Sequence, residues 1–164
     1  WQPAHLVVED AGGAILGVAP SYLKSHSRGE YVFDHAFADA YARAGGAYYP
    51  KIQVSVPFTP ATGPRLLVRP GPEAGVAREA LARGLLGLMR QLEASSVHLT
   101  FLPEEEHAYL TEGELPYFSR FDIQYHWTDA GYGDFEGFLG ALASRKRKVV
   151  RRERRDARSV AHSV

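Results

Sequence analysis

Cysteine is absent from the 164 residues. Its absence removes any disulfide framework and any thiolate zinc site, and it points to a reducing compartment, with the cytoplasm as the expected location. Methionine occurs once, at Met89, and the chain opens on Trp1, Gln2 and Pro3. That opening is neither an initiating start nor a secretory signal, so the expectation is a segment of something longer. No apolar run approaches the roughly 20 residues needed to span a bilayer, and no membrane span is expected. The strong catalytic signatures are missing too: there is no Walker loop, no dinucleotide glycine fingerprint after a strand, no HExxH and no G-x-S-x-G elbow. The seven histidines are scattered, none three or four residues from another, so no metal site is expected. No internal repeat is found.

What is present is a globular composition, 45% apolar and 23% charged, in a length suited to one ordinary domain. The net charge of zero conceals an asymmetry. Nine of the 19 basic residues, against two of the 19 acidic ones, fall between 145 and 158, which leaves ten basic and seventeen acidic residues before them, a net of −7. An acidic body with a basic tail suits a contact between the tail and nucleic acid, an anionic substrate or another domain; a solvated helix face is the blander reading.

Periodicity supplies an outline. Residues 5–10 and 14–19 are β-rich runs around Ala11, Gly12 and Gly13, the pattern of a hairpin, with the second run expected to continue through 21–24. Phe33, Phe37 and Tyr41 form one stripe of a helix that Gly45 and Gly46 stop. Ile52, Val54 and Val56 alternate with Gln53 and Ser55, predicting a strand with one buried face, and 65–68 predicts another. Val76, Leu81, Leu85, Leu88, Met89 and Leu92 mark an amphipathic helix opened by a Pro/Gly loop. Residues 96–102 predict a strand, Pro103 and three glutamates a short helix, and 121–127 another strand. Asp134 is expected to cap a helix running on through the basic stretch. The implied fold is α/β, a mixed sheet flanked by helices. The expected division is a domain at 1–133 and a basic amphipathic helix at 134–164.

Two places combine groups that could bind an anion. The loop 24–31 holds Lys24, His26 and Arg28 among Ser25 and Ser27, a set suited to phosphate or carboxylate, though a solvated loop would look the same. Tyr48, Tyr49 and Lys51 offer stacking and charge, or core and rim packing. His98 and His126 fall inside predicted strands, where a half-buried imidazole bonded to backbone is the expectation. In the basic helix, Val149 and Val150 give an apolar edge suited to packing, and no docking motif for nucleic acid precedes it.

Four stretches carry a family resemblance: Tyr22-Leu23-Lys24-Ser25-His26-Ser27-Arg28-Gly29-Glu30-Tyr31-Val32-Phe33, Tyr48-Tyr49-Pro50-Lys51-Ile52-Gln53, Val56-Pro57-Phe58-Thr59-Pro60 and Ser144-Arg145-Lys146-Arg147-Lys148. They resemble the FemAB-like branch of the GNAT acyltransferase superfamily, whose bacterial members are often described as peptidoglycan-biosynthesis N-acyltransferases. The resemblance implies two GNAT-like halves in tandem, with this chain as the first, non-donor half and its basic helix as the connector to a missing C-terminal GNAT-like half. It implies transfer of an acyl or aminoacyl group to an amine, with acyl-CoA or an aminoacyl donor bound mostly by the other half and no cofactor expected in this one. An anionic small-molecule or cell-wall-precursor acceptor would meet Lys24, His26, Arg28, Tyr49 and Lys51, while Arg145, Arg147, Val149 and Val150 would contact the other half. The family's pyrophosphate loop corresponds to 69–76. Here Pro70 and Pro72 remove amide donors and Glu73 adds a negative charge, which makes it a poor CoA cradle. Catalytic residues are not assignable. Two other readings stand beside this one: a nucleic-acid-binding module working through the basic helix, and a non-catalytic scaffold with a degenerate acyltransferase fold.

Overall fold

The computed structural model describes residues 1–161 and divides into two compact units, Trp1–Asp122 and Ile123–Val164. In the first unit the expected hairpin forms from β2 (Leu6–Glu9) and β3 (Ile15–Ala19), with β1 (Gln2–Pro3) ahead of it. Its turn is closed by Asp10, whose Oδ1 accepts from the N–H groups of Gly12 and Ala14 at 2.8 and 2.9 Å. The run does not continue as one strand. Pro20, which has no N–H to give a ladder, separates β3 from β4 (Ser21–Lys24), and the chain passes there from one sheet to another.

The strands therefore make two sheets rather than the single one expected. One has the order β1-β4-β5-β7, where β5 is Lys51–Val54 and β7 is Val97–Leu99; it is mixed, because β5 and β7 run parallel. The other is antiparallel, β2-β3-β6, with β6 at Leu67–Val68. The crossover between the parallel strands contains α2 (Ala74–Gln91), which buries Ala77, Leu81, Ala82 and Leu85. α2 lies close on the hairpin: a Cβ on Gly84 would come within 2.7 Å of Leu6 Cδ2, and one on Gly17 within 3.0 Å of Leu81 Cδ1. Leu81, Ala82 and Leu85, with Ala19, Ile52, Val54, Leu66 and Leu110, form the core. α3 (Glu104–Thr111) adds a buried carboxylate, Glu106, which accepts from the N–H groups of Arg65 and Leu66 and so ties the start of β6 to the helix.

Several expectations are corrected. α1 (His35–Arg43) begins after Phe33 and buries no residue; Phe33, Phe37 and Tyr41 are all exposed, so the stripe is not a core face. Lys51 to Ser55 are buried on both faces of the sheet, not one, while Val56 is exposed. Residues 121–127 form no strand and are exposed, and His126 with them; a period-two pattern says which side chains share a face but supplies no ladder partner. In the second unit the single helix expected from 134 is two, α4 (Phe135–Ala141) and α5 (Ser144–Ala161), broken where Leu142 takes an extended conformation. Asp134 caps α4 as expected, accepting from Gly137 N at 2.7 Å. Positions 162–164 of the expected helix lie outside the described residues. No helix among the described residues is long and apolar enough to cross a membrane.

Candidate functional site

The pairing register decides which side chains of the mixed sheet share a face. Lys24 lies opposite Lys51, Tyr22 opposite Gln53, and Gln53 beside His98, while Leu23, Ile52 and Val97 align on the other face. One face is therefore apolar and turned to the core. The other is a buried polar layer of Lys24, Lys51, Gln53 and Ser55, with His98 half-buried.

Over this layer folds the segment 25–34, and its two acids meet the two lysines. Lys24 Nζ lies 2.8 Å from Glu30 Oε1 and donates to the carbonyl of Arg28 at 2.8 Å. Lys51 Nζ donates to Glu30 Oε2 at 2.7 Å and to Asp34 Oδ2, and the Tyr48 hydroxyl donates to the same Asp34 oxygen at 2.8 Å. All four charged side chains are at most 1% exposed. Two cations and two carboxylates cancel, the arrangement that makes burial of charge tolerable. Trp1 closes one side, its ring 3.5 Å from Lys24 Nζ and its indole N–H donating to Arg28 O at 3.2 Å. Ser27 and Tyr49 bridge hydroxyl to hydroxyl at 2.8 Å on another side.

The electrostatics follow from burial and pairing. Desolvation alone would raise the Asp34 carboxyl, but hydrogen bonds from Lys51, Ser27 and Tyr48 and the Lys51 charge bring it down to about 2. Burial, then the Asp34 bond and charge, pushes the Tyr48 phenol well up. Burial pulls the Lys24 ammonium down against the opposing pull of Glu30. His98, bonded to Ser96 Oγ at 2.8 Å, is brought down to about 4 by burial first and the Lys51 charge second. The expectation that a strand histidine bonds to backbone is thus corrected to a side-chain hydroxyl.

Of the five residues expected to meet an acceptor, the structure brings Lys24, Lys51 and Tyr49 into this cluster. The two ammoniums face carboxylates rather than solvent. Arg28 is exposed, on the outer side of the loop, and its N–H donates to His26 Nδ1 at 3.2 Å. His26 is half-buried and held down by burial first, then by Lys24 and Arg28. Sequence reasoning missed Glu30 and Asp34 as the partners of the lysines. The available signal was the presence of two acids, Glu30 and Asp34, within ten residues of Lys24. In the second unit, Arg147 donates to the carbonyls of Gly140 and Leu142 at 3.1 and 3.0 Å, closing the end of α4. Val149 and Val150 are half-buried and Arg145 is exposed. Among the described residues, no three His, Cys, Asp or Glu side chains gather as a metal-ion site.

No curated protein and no solved structure matches the chain. One family model does, over residues 1–164, that of the FemAB-like proteins, described as peptidoglycan biosynthesis/recognition. With the match spanning every position, including the polar layer and the loop that covers it, the chain belongs to the FemAB-like family of peptidoglycan biosynthesis and recognition.

Proposed function

We propose that this chain is the acceptor-binding half of an N-acyltransferase of GNAT-like architecture, which moves an acyl or aminoacyl group onto an amine of a cell-wall precursor. A second GNAT-like half binds the donor, acyl-CoA or an aminoacyl carrier, and α5 is the connector toward it, with Arg145, Val149 and Val150 at the contact. Family membership supports the reaction class. The parallel β5 and β7 strands joined across α2 are compatible with the architecture. The loop before α2 argues for a donor site elsewhere. Glu73 occupies the N-cap position without a side-chain capping bond, so its charge stands where a pyrophosphate would need amide donors, and Pro70 and Pro72 supply none.

The observation that carries the acceptor role is the neutral, buried cluster of Lys24, Glu30, Lys51 and Asp34 under the 25–34 loop. It fixes that loop against a sheet, so that the exposed Arg28 rises from a rigid base whose carbonyl is held by Lys24 and the Trp1 indole. An exposed guanidinium on a fixed backbone is suited to a phosphate or carboxylate of the acceptor. Its contribution is positioning: the amine must be held near the acyl carbonyl while it loses its proton, and orientation of that kind is worth several kcal/mol of barrier. The lysines hold the loop and Arg28 meets the ligand.

In the enzyme assembled from this chain and its donor-binding half, Arg28→Ala is expected to raise the acceptor KM roughly tenfold, the loss of one charge-assisted hydrogen bond, with kcat little changed. Lys51→Ala is expected to cost on the order of 3–5 kcal/mol of folding stability, because it leaves Asp34 and Glu30 buried beside too little positive charge. An unchanged KM for Arg28→Ala would sink the acceptor role.

A further inference from the structure

The second unit contains a pocket that the acyl-transfer reading does not use. It has a cavity volume of about 560 Å³ and is lined by Trp127, Tyr132, Phe135 and Phe138 together with Asp129, Gly133 and Asp134. Trp127 and Tyr132 are near-parallel with centroids 6.3 Å apart, and Phe138 stands edge-on to both, at 6.1 and 5.5 Å. We propose that this pocket binds a pyranose ring of a glycan, the sugar stacking on Trp127 and hydrogen-bonding its hydroxyls to Asp129 and Asp134.

Three features support it. The first is availability: Trp127 is 68% exposed, so it offers a ring face to solvent instead of filling a core. The second is rigidity. Asp129 Oδ1 accepts from the N–H groups of Gly131 and Tyr132, and Asp134 Oδ1 from Gly137 N. Gly133 sits at φ +74°, and the Tyr132 carbonyl packs so closely on Gly137 that a Cβ there would lie 2.1 Å from it. The backbone that carries the rings is thus set before a ligand arrives, and binding need not order it. The third is chemistry. In both aspartates Oδ2 enters no hydrogen bond among the described residues, and an ionised carboxylate oxygen accepts from hydroxyls. Aromatic carbon with a few convergent acceptors suits a pyranose, which has an apolar C–H face and a hydroxyl edge. A purely apolar ligand would offer no donor to those Oδ2 atoms while excluding water from them. A cationic ligand is disfavoured by its surroundings: residues 123–164 carry nine Lys or Arg against five Asp or Glu, and the Arg154 guanidinium already lies 3.7 Å from the Phe135 ring centre.

That the glycan is part of a cell-wall precursor rests on the function proposed above; the pocket's preference for a sugar does not. In the full chain carrying Trp1→Phe, Trp127 is the sole indole, and its emission reports on this pocket. Titration with chitotriose is expected to give a saturable blue shift. By calorimetry, Trp127→Ala is expected to raise Kd at least about tenfold. Asp129→Asn and Asp134→Asn, whose amide oxygens still accept from the backbone N–H groups, are expected to raise it a few-fold and keep the test valid if the tryptophan variant does not fold. Emission unchanged by the saccharide overturns the proposal, as does an unaltered Kd in folded Trp127→Ala. So does a shift produced by tetramethylammonium and not by chitotriose, which would make the pocket a cation cage. The assay contains no acyl donor, so a failed titration removes the sugar site alone, while a failed Arg28→Ala test removes the acceptor role alone.

Discussion

Asp34 and His98 both lie within electrostatic reach of Lys51, and each makes the protein sensitive to acid in its own range. The folded protein keeps the His98 imidazole neutral down to about 4, whereas the unfolded chain takes up the proton near the ordinary value of 6.5. Unfolding therefore binds a proton between those values, and stability falls as pH falls through that window, by roughly 3 kcal/mol when complete. Asp34 acts lower. Its carboxylate survives to about 2 in the fold against an ordinary 3.8, so its contribution, roughly 2 kcal/mol, is intact above 3.8 and is lost as pH drops toward 2. Denaturant titrations across pH are expected to show both losses, with His98→Gln flattening the upper and Asp34→Asn the lower. A wild-type slope retained in His98→Gln would mean that another group titrates there. At this scale the sequence displayed the right residue types and concealed their pairing. Lys24 and Lys51 read as free cations because charge in a loop or at a strand end is usually solvated. Their neutralisation by Glu30 and Asp34 depends on a chain reversal that composition does not encode.

Among the elements, those whose apolar pattern is also their packed face were legible. α2 was readable from its leucines, and the β2–β3 hairpin from its Gly-containing turn, because the information lies within the segment. α1 and the segment 121–127 were not. Each has a regular aromatic pattern, but burial needs a second surface, and Phe37 and Tyr41 lie on a helix with no buried residue. Helix α4 shows the opposite case, a short element held by local devices: the Asp134 cap, the Arg147 closure of its end and the contact at Gly137. Gly137→Ala would place a methyl against the Tyr132 carbonyl, and the loop must move to admit it. The expected result is a loss of about 1–3 kcal/mol from the second unit, read as earlier melting of the Trp127 signal in the Trp1→Phe background. Melting identical to the parent would show that the loop yields without cost.

For the molecule as a whole, the unfavourable loop before α2 predicts that the full chain binds acyl-CoA weakly or not at all; calorimetry showing micromolar binding would move the donor site into this half. The α/β class, the absence of cysteine, the two prolines and the glutamate of the loop before α2 and the FemAB-like resemblance were determined by the sequence alone, since each depends on residue identity or on spacing within a segment. Tertiary structure decided the split into two sheets at Pro20, the burial of both faces of β5, the cancellation of the Lys24 and Lys51 charges and the gathering of Trp127, Tyr132 and Phe138 around one pocket. Each of these joins residues from different segments or depends on which surface covers them. Periodicity reports the faces of an element, and only the assembled chain determines what those faces meet.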